Sequence, residues 1–354
     1  MLSLSKHGGF ALGAAMSDDV NKRVLLRARP EGAVTADLFE VEGAPVPEPG
    51  ARQMLIRVHY LSLDPAMRGW IADAPNYRDP VPLGALMPGF TVGEVMASRH
   101  PDYPVGTFVA GRQGWQEWAV SDGSDIDRKL DPEQAPVSTA LHILGHTGLT
   151  AYLGLLEVGQ PKEGETVVVS TAAGAVGSMV GQIAKIKGCR AVGLTGSDEK
   201  VRDCRDLYDY DAVINYKTAG DLVAALKEAC PDGIDIYFDN VGGPISDAVL
   251  ELINVHARIV VCGTMGIPAD EATGPRPNRH ILVKRARMEG FLVLDHMHRL
   301  EEAVAEMSDW LRQGLLAYRE DVTNEIASAP SELVRLLEGG NTGKMLIRVY
   351  DDAD

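Results

Sequence analysis

The stretch Val167–Gly188, VVVSTAAGAVGSMVGQIAKIKG, decides how the chain folds. It opens on a short apolar strand and runs into a turn that holds Gly174 and Gly177. From that turn Val176, Val180, Ile183 and Ala184 recur on one face of a helix read over Ala175–Lys187. Glycine permits a tight turn and lets backbone approach a pyrophosphate, while the helix N-terminus presents N–H groups and the positive end of its dipole. A glycine spacing by itself is weak. Strand, turn, helix and second strand in that order mark a dinucleotide site. The first position of the usual glycine triplet is Thr171.

Outward from this unit, apolar strands alternate with helical segments: TVVVS, RAVGLTG, DAVINY, IDIYFDN, RIVVCGT and FLVL. Nearly continuous apolar runs of this kind belong to a parallel sheet buried on both faces. A helix is read over His296–Gln313, with Met297, Leu300, Val304, Met307 and Leu311 on one face and Gly314 as its stop. A strand-like patch near Tyr318, a short helix over Ser331–Glu338 and a terminal strand over Lys344–Tyr350 follow. Between Val24 and Leu141 the pattern differs, with β-branched runs such as Gln53–Leu63, Phe90–Ala97 and Thr107–Ala110 separated by Pro and Gly. The chain therefore reads as α/β: a Rossmann-type doubly wound parallel sheet joined to a β-rich domain. Residues 1–20 read as a disordered leader, too short in apolar length for a signal peptide.

The composition narrows the function classes. At 354 residues there is room for two domains. A formal net charge of -16, with no basic run, argues against a nucleic-acid partner. No run of 18 apolar residues occurs, so no membrane span is expected. The four cysteines, at 189, 204, 230 and 262, follow neither a zinc spacing nor a secreted disulfide framework, and read as reduced cytoplasmic thiols. The first 188 residues contain none, which excludes a thiolate-ligated metal site there.

The second strand of the nucleotide unit ends in Leu194, Thr195, Gly196 and Ser197, with Lys200 one helical turn on. An NAD enzyme places an acid at that strand tip, on the ribose hydroxyls. A hydroxyl and an ammonium suit a 2'-phosphate instead, so NADPH is favoured, with Asp198 as the competing group.

SLDPAMRGW (62–70), GLTAYLGLLEVG (148–159), TAAGAVGSMVGQIAKIKGC (171–189), GSDEK (196–200), INYK (214–217) and FDNVGG (238–243) together resemble the zinc-independent medium-chain dehydrogenase/reductases. Within that family the chain is most similar to the NADPH-dependent alkenal, prostaglandin and curcumin reductases. The resemblance implies a GroES-like catalytic domain made of residues 21–141 and 315–354, and a Rossmann NADP-binding domain over 142–314. It implies that Gly174, Ala175, Val176 and Gly177 hold the pyrophosphate and that Ser197, Lys200 and Tyr216 hold the 2'-phosphate. Asn240, Cys262, Gly263, Thr264, Phe291, Leu292, Val293 and Asn341 would line the rest of the cofactor. Two departures stand out: GTMGIPADEATGPRPN replaces the Ser-x-Tyr-Asn segment that relatives commonly carry, and His146 in GHTGLT stands where an apolar residue is usual.

The activity implied is NADPH-dependent reduction of the carbon-carbon double bond of an enal or enone. The enolate so formed needs a donor at its oxygen and a proton at its α-carbon. The family's donor is a cofactor ribose hydroxyl. On the protein side the catalytic candidates are Tyr60, Tyr77 and His146, the tyrosines having packing at a domain edge as their other reading. A zinc-free NADPH quinone reductase and a non-catalytic NADPH-binding redox-sensing or structural protein are the competing functions. Edge pairing of a strand over Met288–Leu294 points to a homodimer.

Overall fold

The computed structural model describes residues 20–74, 76–264, 274 and 276–350. Apart from Val20, the leader lies outside the described residues, as do residues 265–273, the larger part of the segment that replaces Ser-x-Tyr-Asn.

Six strands form the nucleotide sheet: β1 (Thr166–Ser170), β2 (Arg190–Thr195), β3 (Ala212–Asn215), β4 (Ile234–Asp239), β5 (Ile253–Val261) and β6 (Arg287–Gly290). Their order is β3-β2-β1-β4-β5-β6, and every pairing is parallel. β1 is central, which is why all five of its residues are buried. Successive side chains of a strand alternate between faces. Val167 and Val169 accordingly join Met179, Val180 and Ile183 of helix α1 (Gly177–Ile186) on one face, while Val168 joins Val192, Leu194, Leu226 and Tyr237 on the other. Each such buried aliphatic side chain contributes roughly 1.5–3 kcal/mol.

The turn between β1 and α1 is set by backbone contacts. Thr171 adopts left-handed φ of 55°, and its carbonyl accepts from Gly174 N at 2.9 Å. A Cβ on Gly177 would collide with that same carbonyl and lie 2.9 Å from Ala172 Cα. Tyr210 fastens the other side, its hydroxyl donating to Gly177 O at 2.7 Å.

The β-rich domain is a seven-stranded sheet. It takes the strands Met54–Ser62, Thr91–Ser98, Phe108–Gly111, Trp118–Ser121 and Ile126–Leu130 from the N-terminal part, and Glu320–Asn324 and Lys344–Arg348 from the C-terminal tail. Lys344–Arg348 lies antiparallel to Met54–Ser62, with Leu346 opposite Ser62 and Arg348 opposite Tyr60. The tail also contributes helix Ala329–Leu337, whose Leu333 and Leu336 pack with Leu61, Trp70 and Ile347.

Several boundaries differ from the expectations. FLVL is no strand: pairing with β5 falls on the preceding RMEG, and Val293–Arg299 is a 3-10 turn. All four residues of β6 are exposed, so backbone ladder bonds rather than burial make this edge strand, and apolar periodicity could not reveal it. The strand expected over Met288–Leu294 therefore shrinks to Arg287–Gly290. The expected helix from His296 becomes an α-helix only at Leu300–Arg312. α1 starts at Gly177 rather than Ala175 because Ala175 and Val176 still belong to the turn. No described helix is long and apolar enough to cross a membrane.

Gly177→Ala should destabilise the protein by about 2 kcal/mol or more, because the methyl meets backbone that cannot move aside. Thr171→Gly should match the parent or gain up to ~1.5 kcal/mol. Relief of left-handed strain is worth roughly 1–2 kcal/mol, against the roughly 0.5–1 kcal/mol that glycine's freedom in the unfolded chain costs. Unfolding midpoints of the two variants beside the parent check both; a Gly177→Ala variant as stable as the parent would refute this account of the turn.

Candidate active site

In a sheet of this order the ligand crevice lies beyond the carboxyl ends of the central strands, where successive connections leave in opposite directions. Here that point lies between β1 and β4. Asn240, just past β4, donates from its side-chain amide to Ser170 O at 2.7 Å and from its backbone to Ser170 Oγ at 2.8 Å. Asp239 organises the same turn as an acceptor: its Oδ1 takes the backbone N–H groups of Val241 and Gly242 at 3.0 and 2.8 Å, and its Oδ2 takes Ser246 Oγ at 2.6 Å. Its backbone carbonyl takes Cys262 N and Gly263 N, which draws the Cys-Gly-Thr loop in beside Asn240.

Two cavities occupy this crevice. The first, of about 330 Å³, has the glycine turn Gly174, Ala175, Val176 and Gly177 as its floor. Ser197, Lys200, Tyr216 and Lys217 stand at one end, and Asn341, Lys344 and Met345 of the C-terminal tail form a wall. The second, of about 500 Å³, is lined by Trp70, Tyr77, Phe90, His146, Cys262, Gly263, Thr264, Phe291, Leu292 and Val293 among others. The two share Asp64, Pro65, Thr147, Val176 and Asn240, so they form one continuous groove.

The end with the cations is built by a helix start. Ser197 caps helix α2 (Asp198–Asp206), its Oγ accepting from Lys200 N at 3.3 Å. Lys200 Nζ donates to Gly339 O at 2.7 Å, and burial, then the nearby Lys217 ammonium, holds its pKa below the ordinary lysine value. Lys217 is a second cation here that sequence reading missed, although it closes the quoted INYK. Gly196 leaves a cradle beside them: an added Cβ would fall 2.8 Å from Tyr216 Oη and 3.2 Å from Lys217 Cε. Asp198, the competing carboxylate, accepts from Asn215 Nδ2 at 2.7 Å and lines neither cavity.

The three catalytic candidates separate. Tyr77 lies at the rim of the larger cavity, where its Oη accepts from Trp70 Nε1 at 2.6 Å. The phenol's own proton is thereby left to donate elsewhere. Burial pushes the pKa of this hydroxyl above the ordinary tyrosine value, against the Trp70 hydrogen bond and Arg78, which pull it down. Arg78 in turn lies over the Trp70 ring at 4.7 Å. His146 lines the same cavity, stacked on Phe90 at 3.8 Å with Nε2 3.1 Å from Asp127 Oδ2. A neutral ring that gives its Nε2 proton to Asp127 keeps only an acceptor at Nδ1, and that atom is buried without a partner among the described residues. Tyr60 lines neither cavity and packs against Val92, Ala110, Leu141 and Leu346 on the sheet.

The thiols are unreactive by environment. Burial pushes Cys262 up to about 12, with Asp239 adding to the rise, and burial likewise raises Cys189 to about 11 and Cys204 to about 12. Cys262 thus lines the groove as a neutral small side chain. Beneath the turn, burial and then the Lys344 charge bring His142 down to about 3, so its ring is uncharged at neutral pH. Among the described residues no three His, Cys, Asp or Glu side chains converge as a metal ion would need.

Sequence reading also missed Asp64, Trp70, Phe90, Thr147 and Lys344. Asp64 and Trp70 sit inside the quoted SLDPAMRGW and Lys344 opens the terminal strand, so the signal was a charge or large ring inside an assigned segment.

Comparison with known proteins agrees with this geometry. Residues 22–128 match the family described as the N-terminal domain of oxidoreductase, and residues 175–310 match that described as zinc-binding dehydrogenase. The chain is 45% identical to the NADPH-dependent curcumin reductase of Escherichia coli, over 94% of this chain and 98% of that one. It is 39% identical to the NADP-dependent 2-alkenal reductase of Nicotiana tabacum, over 94% and 99%. The crystal structure of CurA from Vibrio vulnificus in complex with NADPH superposes with a TM-score of 0.88 at 43% identity, covering 93% of this chain and 99% of that one. This chain belongs to the medium-chain dehydrogenase/reductase family, in the branch that holds the curcumin, alkenal and prostaglandin reductases.

Proposed function

We propose that this oxidoreductase uses NADPH to reduce the carbon-carbon double bond of α,β-unsaturated aldehydes or ketones, leaving the carbonyl intact. The observation that carries the reading is the donor geometry of Tyr77: its acceptor role is taken up by Trp70, in an aromatic-lined cavity continuous with the glycine turn. NADPH supplies the hydride. The chain's own part is to seat the substrate so that its β-carbon faces the shared stretch of groove and its oxygen faces the Tyr77 hydroxyl. Conjugation carries the developing charge to that oxygen, where a fixed neutral donor stabilises it. A protonated, partly desolvated phenol meets this need better than His146, whose Nε2 is engaged by Asp127. The α-carbon proton would come from water entering the groove.

Ser197, Lys200, Tyr216 and Lys217 form the 2'-phosphate site in this reading, and the glycine turn takes the pyrophosphate. The catalytic unit is residues 21–141 with 315–354, and the nucleotide unit is 142–314. A homodimer would join at the β6 edge, where Met288 is exposed, as are Leu282 and Val283 of the preceding helix.

Lys200→Ala should weaken NADPH about ten- to a hundredfold, the worth of a charge-assisted contact, and leave NADH little changed. Titration of both cofactors checks this, and equal weakening of the two would remove the 2'-phosphate assignment. Loss of absorbance at 340 nm with an enone, a quinone and no acceptor, run side by side, tests the reaction. Turnover with the quinone alone would make the protein a quinone reductase, and binding without turnover a sensor or structural protein. Tyr77→Phe should lower turnover roughly a hundredfold with NADPH affinity preserved. Product analysis is decisive on regiochemistry, since an allylic alcohol from an enal would place the hydride on the carbonyl carbon and sink the proposal.

A further inference from the structure

Lys344 is 2% exposed, yet it carries an ammonium into the wall of the groove. Its Nζ donates to Leu63 O at 2.9 Å and to Asp64 Oδ1 at 2.6 Å, across 280 residues of sequence. Asp64 Oδ2 accepts from Ser62 Oγ at 2.5 Å. A buried ion pair is seldom a net source of stability compared with apolar residues of similar volume. Nor is this one needed to clip the tail in place. Leu63 N already bonds Met345 O at 3.2 Å, and the ladder from Leu346 to Arg348 continues from there. The pair calls for another explanation, and its position supplies one.

Asp64 is the one carboxylate among the five residues that line both cavities. The polar groups beside it already give hydrogen bonds elsewhere, Thr147 Oγ1 to His142 O at 3.0 Å and one N–H of Asn240 Nδ2 to Ser170 O. A carboxylate has about four acceptor sites, and Lys344 and Ser62 occupy one on each oxygen. The groove also has a direction. Lys200 and Lys217 stand at one end of the smaller cavity, the glycine turn lies along its floor, and Asp64 stands where it opens into the larger one. A dinucleotide laid with its 2'-phosphate on the lysines and its pyrophosphate on the turn brings its riboside end to Asp64. That end carries two hydroxyls and a carboxamide, all hydrogen-bond donors.

We propose that Asp64, fixed and charge-balanced by Lys344 and oriented by Ser62, is the positioning residue for the nicotinamide riboside, accepting a hydrogen bond from one of its hydroxyl or amide donors. Lys344 acts through Asp64: its ammonium holds the carboxylate in one orientation. The inference rests on the NADPH assignment and is independent of which acceptor is reduced.

Binding to the intact protein, without any acceptor, tests it with two probes. NADPH contains the riboside, whereas adenosine 2',5'-bisphosphate reaches only the far end of the groove. Asp64→Asn and Lys344→Met should each weaken NADPH about tenfold or more, by the scale of a hydrogen bond to a charged group. The bisphosphate should stay within about twofold, since it makes no contact with the carboxylate. Parallel weakening of both probes would show a structural pair and overturn the proposal, as would unchanged NADPH affinity. If either variant fails to fold, Ser62→Ala keeps the ion pair and should still weaken NADPH about threefold, by the scale of one lost hydrogen bond, with the bisphosphate unaffected. No selective loss there overturns the proposal equally. A parent protein that binds the bisphosphate and not NADPH would instead remove the cofactor assignment itself.

Discussion

The close approach of α1 to the end of β1 is the constraint on which the site depends. Gly177 sits against the Thr171 carbonyl and the Ala172 backbone, with Tyr210 fastened to its own carbonyl from the far side. Any side chain there would push the helix outward and lift its N-terminus off the crevice. With the helix seated, Val180 and Ile183 reach Val167 and Val169, so the burial that stabilises the sheet also fixes the crevice-facing end of the helix. Stability and ligand geometry are set by one contact, and Thr171 accepts a left-handed backbone to make it.

The second wall of the groove comes from a different kind of constraint, topological closure. Lys344–Arg348 completes the sheet begun by Met54–Ser62, so the tail is held by a ladder formed with residues near the start of the chain. This places Asn341, Lys344 and Met345 opposite the glycine turn. Helix Ala329–Leu337 buries Leu333 and Leu336 in the core shared with Leu61 and Trp70, which ties the tail to the segment carrying Asp64 and Tyr77. The groove is thus bounded by elements from three separated parts of the sequence, two of them anchored in one shared core and the third in the core of the nucleotide sheet.

That division explains what the sequence allowed and what it concealed. The central strands were legible because burial on both faces demands unbroken apolar runs, and TVVVS and IDIYFDN show them. The turn was legible because backbone crowding demands Gly177. RMEG was hidden, since an exposed edge strand is held by backbone bonds that leave no mark on side-chain chemistry. Tyr60 lies beside SLDPAMRGW in sequence, yet in the fold it packs with Val92 and Leu346 and does not line the groove. Asp64 and Lys344 were visible as charges inside assigned segments, yet their meeting is long-range and belongs to the topology alone.

Cofactor discrimination shows the same limit at finer grain. An acid near the end of β2 argues for ribose hydroxyls and against a phosphate, and Asp198 stands one residue beyond the cap. What decides is where that carboxylate is held. Asn215 at the end of the neighbouring strand takes its Oδ1, leaving the cradle at Gly196 to Tyr216 and two ammonium groups. Burial, and then the Lys217 charge beside it, holds the pKa of Lys200 below the ordinary lysine value. An anion placed there would offset both penalties, whereas a neutral ribose would relieve neither. In the proposed cofactor reading, a 2'-phosphate would therefore be favoured by two ammonium groups at one end of the groove, with Asp198 turned to another partner.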